Sequence, residues 1–136
     1  MDLKSYLEQH ETVLSEITSI KALMNSNNFD KDTRAIALHI STLAGRIKVH
    51  LSLEDKYLYP SLQEHGSEKV VKIAEEYQKE MGDLANRFTT YKNTYNTGSK
   101  ILQNLSTFEF DTKGIFQAIE KRIEREEKEL YHFIEE

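Results

Sequence analysis

The chain has 136 residues, of which 30% are charged and 38% hydrophobic, and its formal net charge is −5. At roughly 100–200 residues per domain, this length predicts one domain, residues 1–136, with one core. The absence of cysteine excludes a disulfide scaffold and a zinc–thiolate site, and the negative charge disfavours nucleic acid or an anionic membrane as a partner. Because no apolar run approaches the ~18–20 residues of a membrane span, and the N-terminus lacks a signal-peptide core, we expect a cytoplasmic protein.

Helices are the expected secondary structure throughout. One proline and five glycines are too few for the turns of a sandwich or barrel, and apolar residues recur at three- and four-residue steps. The first predicted helix begins behind Asp2 as its N-cap and ends in the polar run 25–28, whose side chains compete for backbone hydrogen bonds. Its apolar positions are Leu3, Tyr6, Leu7, Val13, Leu14, Ile17, Ile20 and Met24.

The second predicted helix begins at Asp30 or Asp32 and ends at residues 65–66, where a histidine precedes a glycine. Pro60 lies inside it. Because proline lacks a backbone donor and crowds the preceding turn, we expect a kink or a 3₁₀ turn there. The apolar positions of this helix are Ile36, Ile40, Leu43, Ile47, Leu51, Leu58 and Leu62.

The third predicted helix is capped by Ser67 and ends near residues 96–98. A short helix at 100–105 follows, and then a loop packed by Phe108 and Phe110. The apolar positions of the third helix are Val70, Ile73, Ala74, Met81, Leu84, Phe88 and Tyr91.

The fourth predicted helix begins after Asp111. Four long helices with mostly short connections predict an all-α, up-down-up-down four-helix bundle. The apolar positions of the fourth helix are Phe116, Ile119, Ile123, Leu130 and Ile134.

Polar side chains interrupt the apolar stripe of every predicted helix. Three- and four-residue spacings place them on the faces that should meet in the core. Because a charge left alone in a core is costly unless it is paired or bound to metal, these side chains need a common explanation. They are His10 on the first helix, His50 and Glu54 on the second, Tyr77 on the third, and Arg122 and Glu126 on the fourth.

The second and fourth helices also share an internal repeat. The segment 50–59 aligns with 122–131, so that Glu54 matches Glu126 and Tyr59 matches Tyr131. Less strongly, residues 7–10 align with residues 74–77. The repeat predicts two copies of one helical hairpin about a pseudo-twofold axis. Such symmetry suits a core that holds two metal ions bridged by one carboxylate from each copy.

These residues resemble the hemerythrin-like (HHE cation-binding) domains over essentially the full chain. The most specific part is His50 with Glu54, followed by Leu-Tyr-Pro at 58–60, which is similar to the family's second-helix signature. The segment 126–131 is similar to the fourth-helix signature, and His10 lies where the family places its first histidine. The resemblance implies a non-haem diiron centre used in oxygen binding or sensing, iron handling, or nitric-oxide and peroxide chemistry.

The chain departs from the family pattern in its second half. The family has histidines on the third and fourth helices, where this chain has Tyr77 (or Gln78, one residue out of register) and Arg122. Since a guanidinium has no acceptor lone pair, we expect Arg122 to replace the second ion and pair with Glu126. Tyr77 either adds a phenolate to a ferric ion or fills the gap.

The resemblance therefore implies at most about one ion per chain, with iron favoured and manganese or zinc as alternatives. Its ligands would be His10, His50, Glu54 and Glu126. The leading interpretation is a degenerate cation-binding centre, holding one metal or none, that binds or senses a metal or a small diatomic or peroxide ligand. The alternatives are an oxidase- or peroxidase-type enzyme and a metal-free interaction module, and the oligomeric state is left open.

Neighbouring residues have simpler, structural interpretations. His39 lies too far along the second helix from His50 to share an ion, so we expect it to pack or to line a rim. Asp55 and Glu127 are either acceptors for the ligand histidines or simply exposed. Tyr57, Tyr59 and Tyr131 are expected to pack at the end of the bundle.

Overall fold

The computed structural model describes residues 2–134, which contain helices and no strand. The long helices are separated by short turns, and none within the described range is both long and apolar enough to cross a bilayer. The helices are α1 (Leu3–Met24), α2 (Thr33–Leu53), α3 (Tyr59–Gln63), α4 (Glu68–Tyr95), α5 (Gly98–Gln103) and α6 (Leu105–Lys128). Two 3₁₀ turns, Phe29–Lys31 and Leu130–Phe133, and one π turn, Glu54–Leu58, complete the regular structure of residues 2–134.

Four of these helices form the predicted bundle. α1 packs against α2 and α6, and α4 packs against the same two helices. Tyr6, Leu58, Ala74 and Leu130 share one apolar cluster, so the start of α1, the continuation of α2, the start of α4 and the chain after α6 meet at one end. Directions therefore alternate, and the all-α, up-down-up-down architecture is confirmed.

The first helix has the predicted bounds. The carboxylate of Asp2 accepts a hydrogen bond from the backbone N–H of Ser5 at 2.9 Å, which satisfies one of the free donors at the helix start. α1 ends at Met24, directly before the polar run.

The chain around Pro60 differs from expectation. A π turn at Glu54–Leu58 separates α2 from α3, and the proline lies in the first turn of α3. The backbone N–H of Tyr59 reaches back five residues to the carbonyl of Glu54. Because proline cannot donate and its ring crowds the carbonyl four residues earlier, a wider turn accommodates it without breaking the helix. The expected interruption of the regular helix is present, but it is a wider π turn and not a 3₁₀ turn.

The last helix begins earlier than predicted, at Leu105, and the expected loop does not form. Phe108 and Phe110 both lie on α6, the first with 0% and the second with 80% of its surface exposed. The apolar repeat was hidden because its next core position is Thr112. The hydroxyl of that residue is buried and lies 2.7 Å from the Tyr91 hydroxyl, so a polar residue fills an apolar seam.

The end of the fourth helix was also placed too late. α6 ends at Lys128, and Leu130 belongs to the 3₁₀ turn that follows it. Ile134 is extended at the end of that turn. This tighter turn is what brings Tyr131 back over the bundle core, where its ring is buried.

Two apolar clusters fill the bundle on either side of a polar layer. On α1, for example, His10 lies between Tyr6 of the smaller cluster and Val13 of the larger. The larger cluster includes Ile17, Ile20, Ile36, Ile40, Leu43, Phe88, Tyr95, Phe108 and Phe116. The smaller consists of Tyr6, Leu58, Tyr59, Leu62, Val70, Ala74, Tyr77, Leu130 and Tyr131.

The position of α6 is tested by a matched pair of substitutions. Phe108→Ala should lower the free energy of unfolding by about 3–5 kcal/mol, because it leaves a cavity in the larger cluster. Phe110→Ala, two residues on in the same helix, should change it by less than about 0.5 kcal/mol. Urea unfolding followed by circular dichroism measures both, and equal effects would contradict the assignment.

Candidate metal centre

The polar layer is built from three segments of the bundle. α1 contributes His10, the end of α2 and the π turn contribute His50 and Glu54, and α6 contributes Arg122 and Glu126. All five side chains are buried. The structure therefore brings five of the six predicted residues into one interior cluster.

Three atoms of this cluster lie close enough together to share an ion. His10 Nε2 is 3.2 Å from His50 Nε2 and 2.9 Å from Glu126 Oε1. His50 Nε2 is 3.6 Å from the same carboxylate oxygen. Histidine nitrogens and carboxylate oxygens are both good ligands for divalent first-row metals, so the trio is a candidate metal site.

The Nδ1 atoms of the two imidazoles have different partners. His50 Nδ1 donates to the side-chain oxygen of Gln9 at 2.6 Å. His10 Nδ1 lies 3.4 Å from a carboxylate oxygen of Glu127, close enough for electrostatic attraction but not a formed hydrogen bond. A proton on His50 Nδ1 leaves the Nε2 lone pair of that ring free for a metal, as metal-binding histidines require.

The two residues expected as acceptors thus behave differently. Glu127 is close to an imidazole, although the geometry of a hydrogen bond is not reached. Asp55 is exposed and lies 3.5 Å from the amide nitrogen of Gln78. Gln9, which the sequence argument did not single out, takes the place of Asp55 as the partner of His50.

A positive centre suits this arrangement. Two Nε2 atoms and one carboxylate oxygen converge within a few ångströms, in an interior where electrostatic interactions are poorly screened. A metal ion would use a lone pair from each of the three atoms at once.

The two carboxylates of the cluster differ in protonation. Burial raises the pKa of Glu54 well above its ordinary value, and the neighbouring charge of Glu126 raises it further against the opposing effect of Arg122. Burial would also raise the pKa of Glu126, but hydrogen bonds from His10 and His50, together with Arg122, hold it below its ordinary value. In the absence of an ion, Glu126 carries the charge and Glu54 holds a proton.

Glu54 is completely buried. Its Oε2 atom lies 3.5 Å from His50 Nε2 and accepts a hydrogen bond from the Tyr131 hydroxyl at 3.2 Å. Its Oε1 atom has no hydrogen-bond partner within residues 2–134. An orphaned acceptor at this depth is costly, and a nearby cation would satisfy it.

Arg122 is the one permanent cation of the cluster. Its Nε donates to Glu126 Oε2 at 3.0 Å, and one terminal nitrogen donates to the Tyr59 hydroxyl at 2.9 Å. The other terminal nitrogen makes no hydrogen bond within the described chain and lies 3.8 Å from a carboxylate oxygen of Glu80. The pairing of Arg122 with Glu126 matches the sequence-based expectation.

Tyr77 is the predicted residue that the structure does not bring into the cluster. Its hydroxyl donates to the backbone carbonyl of Arg125 at 3.2 Å. Its ring packs against the guanidinium groups of Arg122 and Arg125, whose central carbons lie 4.6 Å and 4.9 Å from the ring centre. Because the arginine fills the space that a phenolate would need, Tyr77 fills the gap and is not placed as a ligand.

Three other tyrosines were expected only to pack. Tyr57 is exposed, against that expectation. The rings of Tyr59 and Tyr131 do pack in the smaller cluster, but their hydroxyls also reach the polar layer, where Tyr59 contacts Arg122 and Tyr131 contacts the histidine–carboxylate trio. The signal that could have found them is the internal repeat, which pairs these two residues at equivalent positions.

Fold and site together define a class, the helical bundle with a buried histidine–carboxylate cluster for a cation. The family model of the hemerythrin HHE cation-binding domain matches residues 1–134. The chain therefore belongs to the hemerythrin HHE cation-binding domain family. No curated protein and no solved structure matches it.

The protonation assigned to Glu54 can be tested by the pH dependence of stability, measured in the presence of chelator. Because its folded-state pKa is raised, its stabilising contribution is complete below the ordinary value of 4.5 and is lost as the pH rises through the folded value. Glu54→Gln cannot ionise, so its free energy of unfolding should fall less than that of the natural protein between about pH 5 and about pH 9.

The difference in free energy of unfolding between Glu54→Gln and the natural protein should grow by at most about 1.4 kcal/mol per pH unit. Urea unfolding at each pH measures it. Glu124→Gln is the control, because Glu124 is exposed and its hydrogen bond with Lys128 lowers its pKa, so that it is ionised throughout this range; this variant should run parallel to the natural protein. Parallel curves for Glu54→Gln as well would contradict the protonation assigned to Glu54.

Proposed function

We propose that this protein binds about one metal ion per chain in a degenerate non-haem iron centre, and that it serves in metal or small-ligand binding or sensing. The observation that supports this most directly is the convergence of His10 Nε2 and His50 Nε2 on one oxygen of Glu126. Membership of a cation-binding family adds to it.

The donor set fits an ion of the first transition row. His10 and His50 offer imidazole nitrogens, and Glu126 offers an ionised oxygen beside the orphaned acceptor of Glu54. Ligands of this mixed type suit Fe²⁺, Mn²⁺ and Zn²⁺, and the family favours iron. When bound, iron would supply an exchangeable electron and an open coordination position.

The contacts of Arg122 support a centre that holds one ion and not two. Glu126 turns one oxygen to the imidazoles and the other to the guanidinium, 3.0 Å away. A bridging carboxylate in a two-metal centre would divide its oxygens in the same way. The guanidinium thus supplies the positive charge of a second ion, and it cannot be a ligand because it has no free lone pair.

A small cavity beside the cluster supports a ligand of diatomic size. Its volume is about 30 Å³, and the surfaces that face it are apolar. This exceeds the ~10–15 Å³ that one water needs, yet it is too small for an organic substrate. The residues around it are His10, Val13, Ile47, His50, Met81, Leu84, Ile119, Arg122, Ile123 and Glu126.

Metal content and melting temperature test the proposal together. Protein from iron-supplemented cells should contain about one iron per chain, and chelator should lower its melting temperature, because an ion at 100 times its Kd stabilises the fold by about 2.7 kcal/mol. His10→Gln should abolish both effects. His39→Gln is the control, since His39 pairs with Glu16 away from the cluster.

A chain that holds no metal and melts at the same temperature with and without chelator would contradict the proposal. It would favour the interaction module, in which a shared proton replaces the ion. Two irons per chain in the natural protein would contradict the single-ion centre.

The lost second site should be recoverable. Arg122→His together with Tyr77→His supplies the two nitrogens that the family has on its third and fourth helices, and occupancy should rise from about one to about two ions per chain. Arg122→Gln with Tyr77→Phe is the control, because it removes the guanidinium and the hydroxyl without adding ligands. Equal metal content in both double variants would show that the second site was placed wrongly.

A further inference from the structure

The hydroxyl of Tyr131 lies among four donor atoms of the candidate centre. It is 3.0 Å from His10 Nε2 and 3.4 Å from His50 Nε2. It is 3.2 Å from Glu54 Oε2 and 3.3 Å from Glu126 Oε1. The phenol has one proton to donate and an oxygen that can also accept, so at most one of the four contacts is a hydrogen bond donated by Tyr131.

These spacings are those of ligands around one ion. At a metal–ligand distance of about 2.1 Å, neighbouring ligands lie about 3.0 Å apart at the edges of an octahedron and about 3.4 Å apart in a tetrahedron. His10 Nε2, His50 Nε2 and Glu126 Oε1 are 2.9–3.6 Å from one another. The Tyr131 oxygen, at 3.0–3.4 Å from the same three atoms, occupies a further corner of the same polyhedron.

The repeat provides an independent argument. Tyr59 is the equivalent of Tyr131 in the other half, and its oxygen directly accepts a hydrogen bond from the Arg122 guanidinium at 2.9 Å. Each tyrosine therefore faces the polar residues of the opposite half. Tyr59, from the half with the two imidazoles, faces the built-in cation Arg122. Tyr131, from the half with the arginine, faces the place between the imidazoles and carboxylates where an ion would lie.

We propose that Tyr131 is a ligand of the bound ion through its phenolate oxygen, and that it makes the centre selective for ferric iron. This inference rests on the proposed metal-binding function. On binding, the O–H bond of the phenol breaks, an iron–oxygen bond forms, and the proton is released to solvent. The phenolate and the Glu126 carboxylate bring two negative charges to the ion, which matches Fe³⁺ better than Fe²⁺.

The test uses ferric nitrilotriacetate added to chelator-treated protein. The natural protein should develop the visible charge-transfer absorption of a phenolate bound to iron, with phenolate ring modes enhanced in the resonance Raman spectrum. Tyr131→Phe should lose both signals and bind ferric iron about tenfold more weakly, a difference of about 1.4 kcal/mol. Tyr59→Phe is the matched control and should retain both signals.

Tyr6→Phe is a second control, because the Tyr6 ring is also buried and its centre lies 5.5 Å from that of Tyr131. Tyr131→Phe keeps the buried ring and removes only the hydroxyl, so it should fold like the natural protein. Circular dichroism before iron addition verifies that each variant is helical.

The outcomes separate the two proposals. If the natural protein binds iron without the band, or if the band survives Tyr131→Phe or is lost in Tyr59→Phe or Tyr6→Phe, the assignment of Tyr131 is overturned and the metal-binding function stands. If neither the natural protein nor any variant takes up iron, both proposals are overturned.

Discussion

Glu126 divides its carboxylate between two kinds of partner, and the rest of the polar layer depends on that division. One oxygen accepts from Arg122, and the other lies against the Nε2 atoms of His10 and His50. The group is buried and ionised, a state that survives in an interior only when both oxygens are compensated. Arg122 compensates one side permanently. The other oxygen lies where the proposed ion would bind between the imidazoles, and that ion would compensate it.

Packing explains why this layer can persist. The two apolar clusters lie on either side of it and exclude water, which strengthens every electrostatic interaction inside and makes any unpaired group costly. A purely apolar layer would serve stability as well or better. The retention of two imidazoles and two carboxylates at this depth is therefore better explained by a ligand than by folding alone.

Much of the fold could be predicted from hydropathy spacing, and much of the site from the places where polar residues interrupt it. His10, Arg122 and Glu126 were located in this way because a helical position fixes which face a side chain occupies. Hydropathy spacing predicted the structure wrongly at two places. At Thr112 a buried polar residue interrupts the apolar pattern, so the helix was read as a loop. At Pro60 the wider π turn has no sequence signature of its own. Hydroxyl positions were out of reach as well, since periodicity indicates that a tyrosine ring is buried and says nothing of what its oxygen meets.

The two halves related by the repeat differ at the positions that carry the chemistry. Equivalent positions hold His50 and Arg122, and each lies four residues before its carboxylate. The arginine carries its charge on a covalent side chain, so the place beside it always holds a cation and cannot respond to metal supply. Under the proposed function, the place between the two imidazoles would gain or lose an ion. Glu126 would keep its pairing with Arg122 in both states, and a metal or small-ligand sensor requires two such defined states.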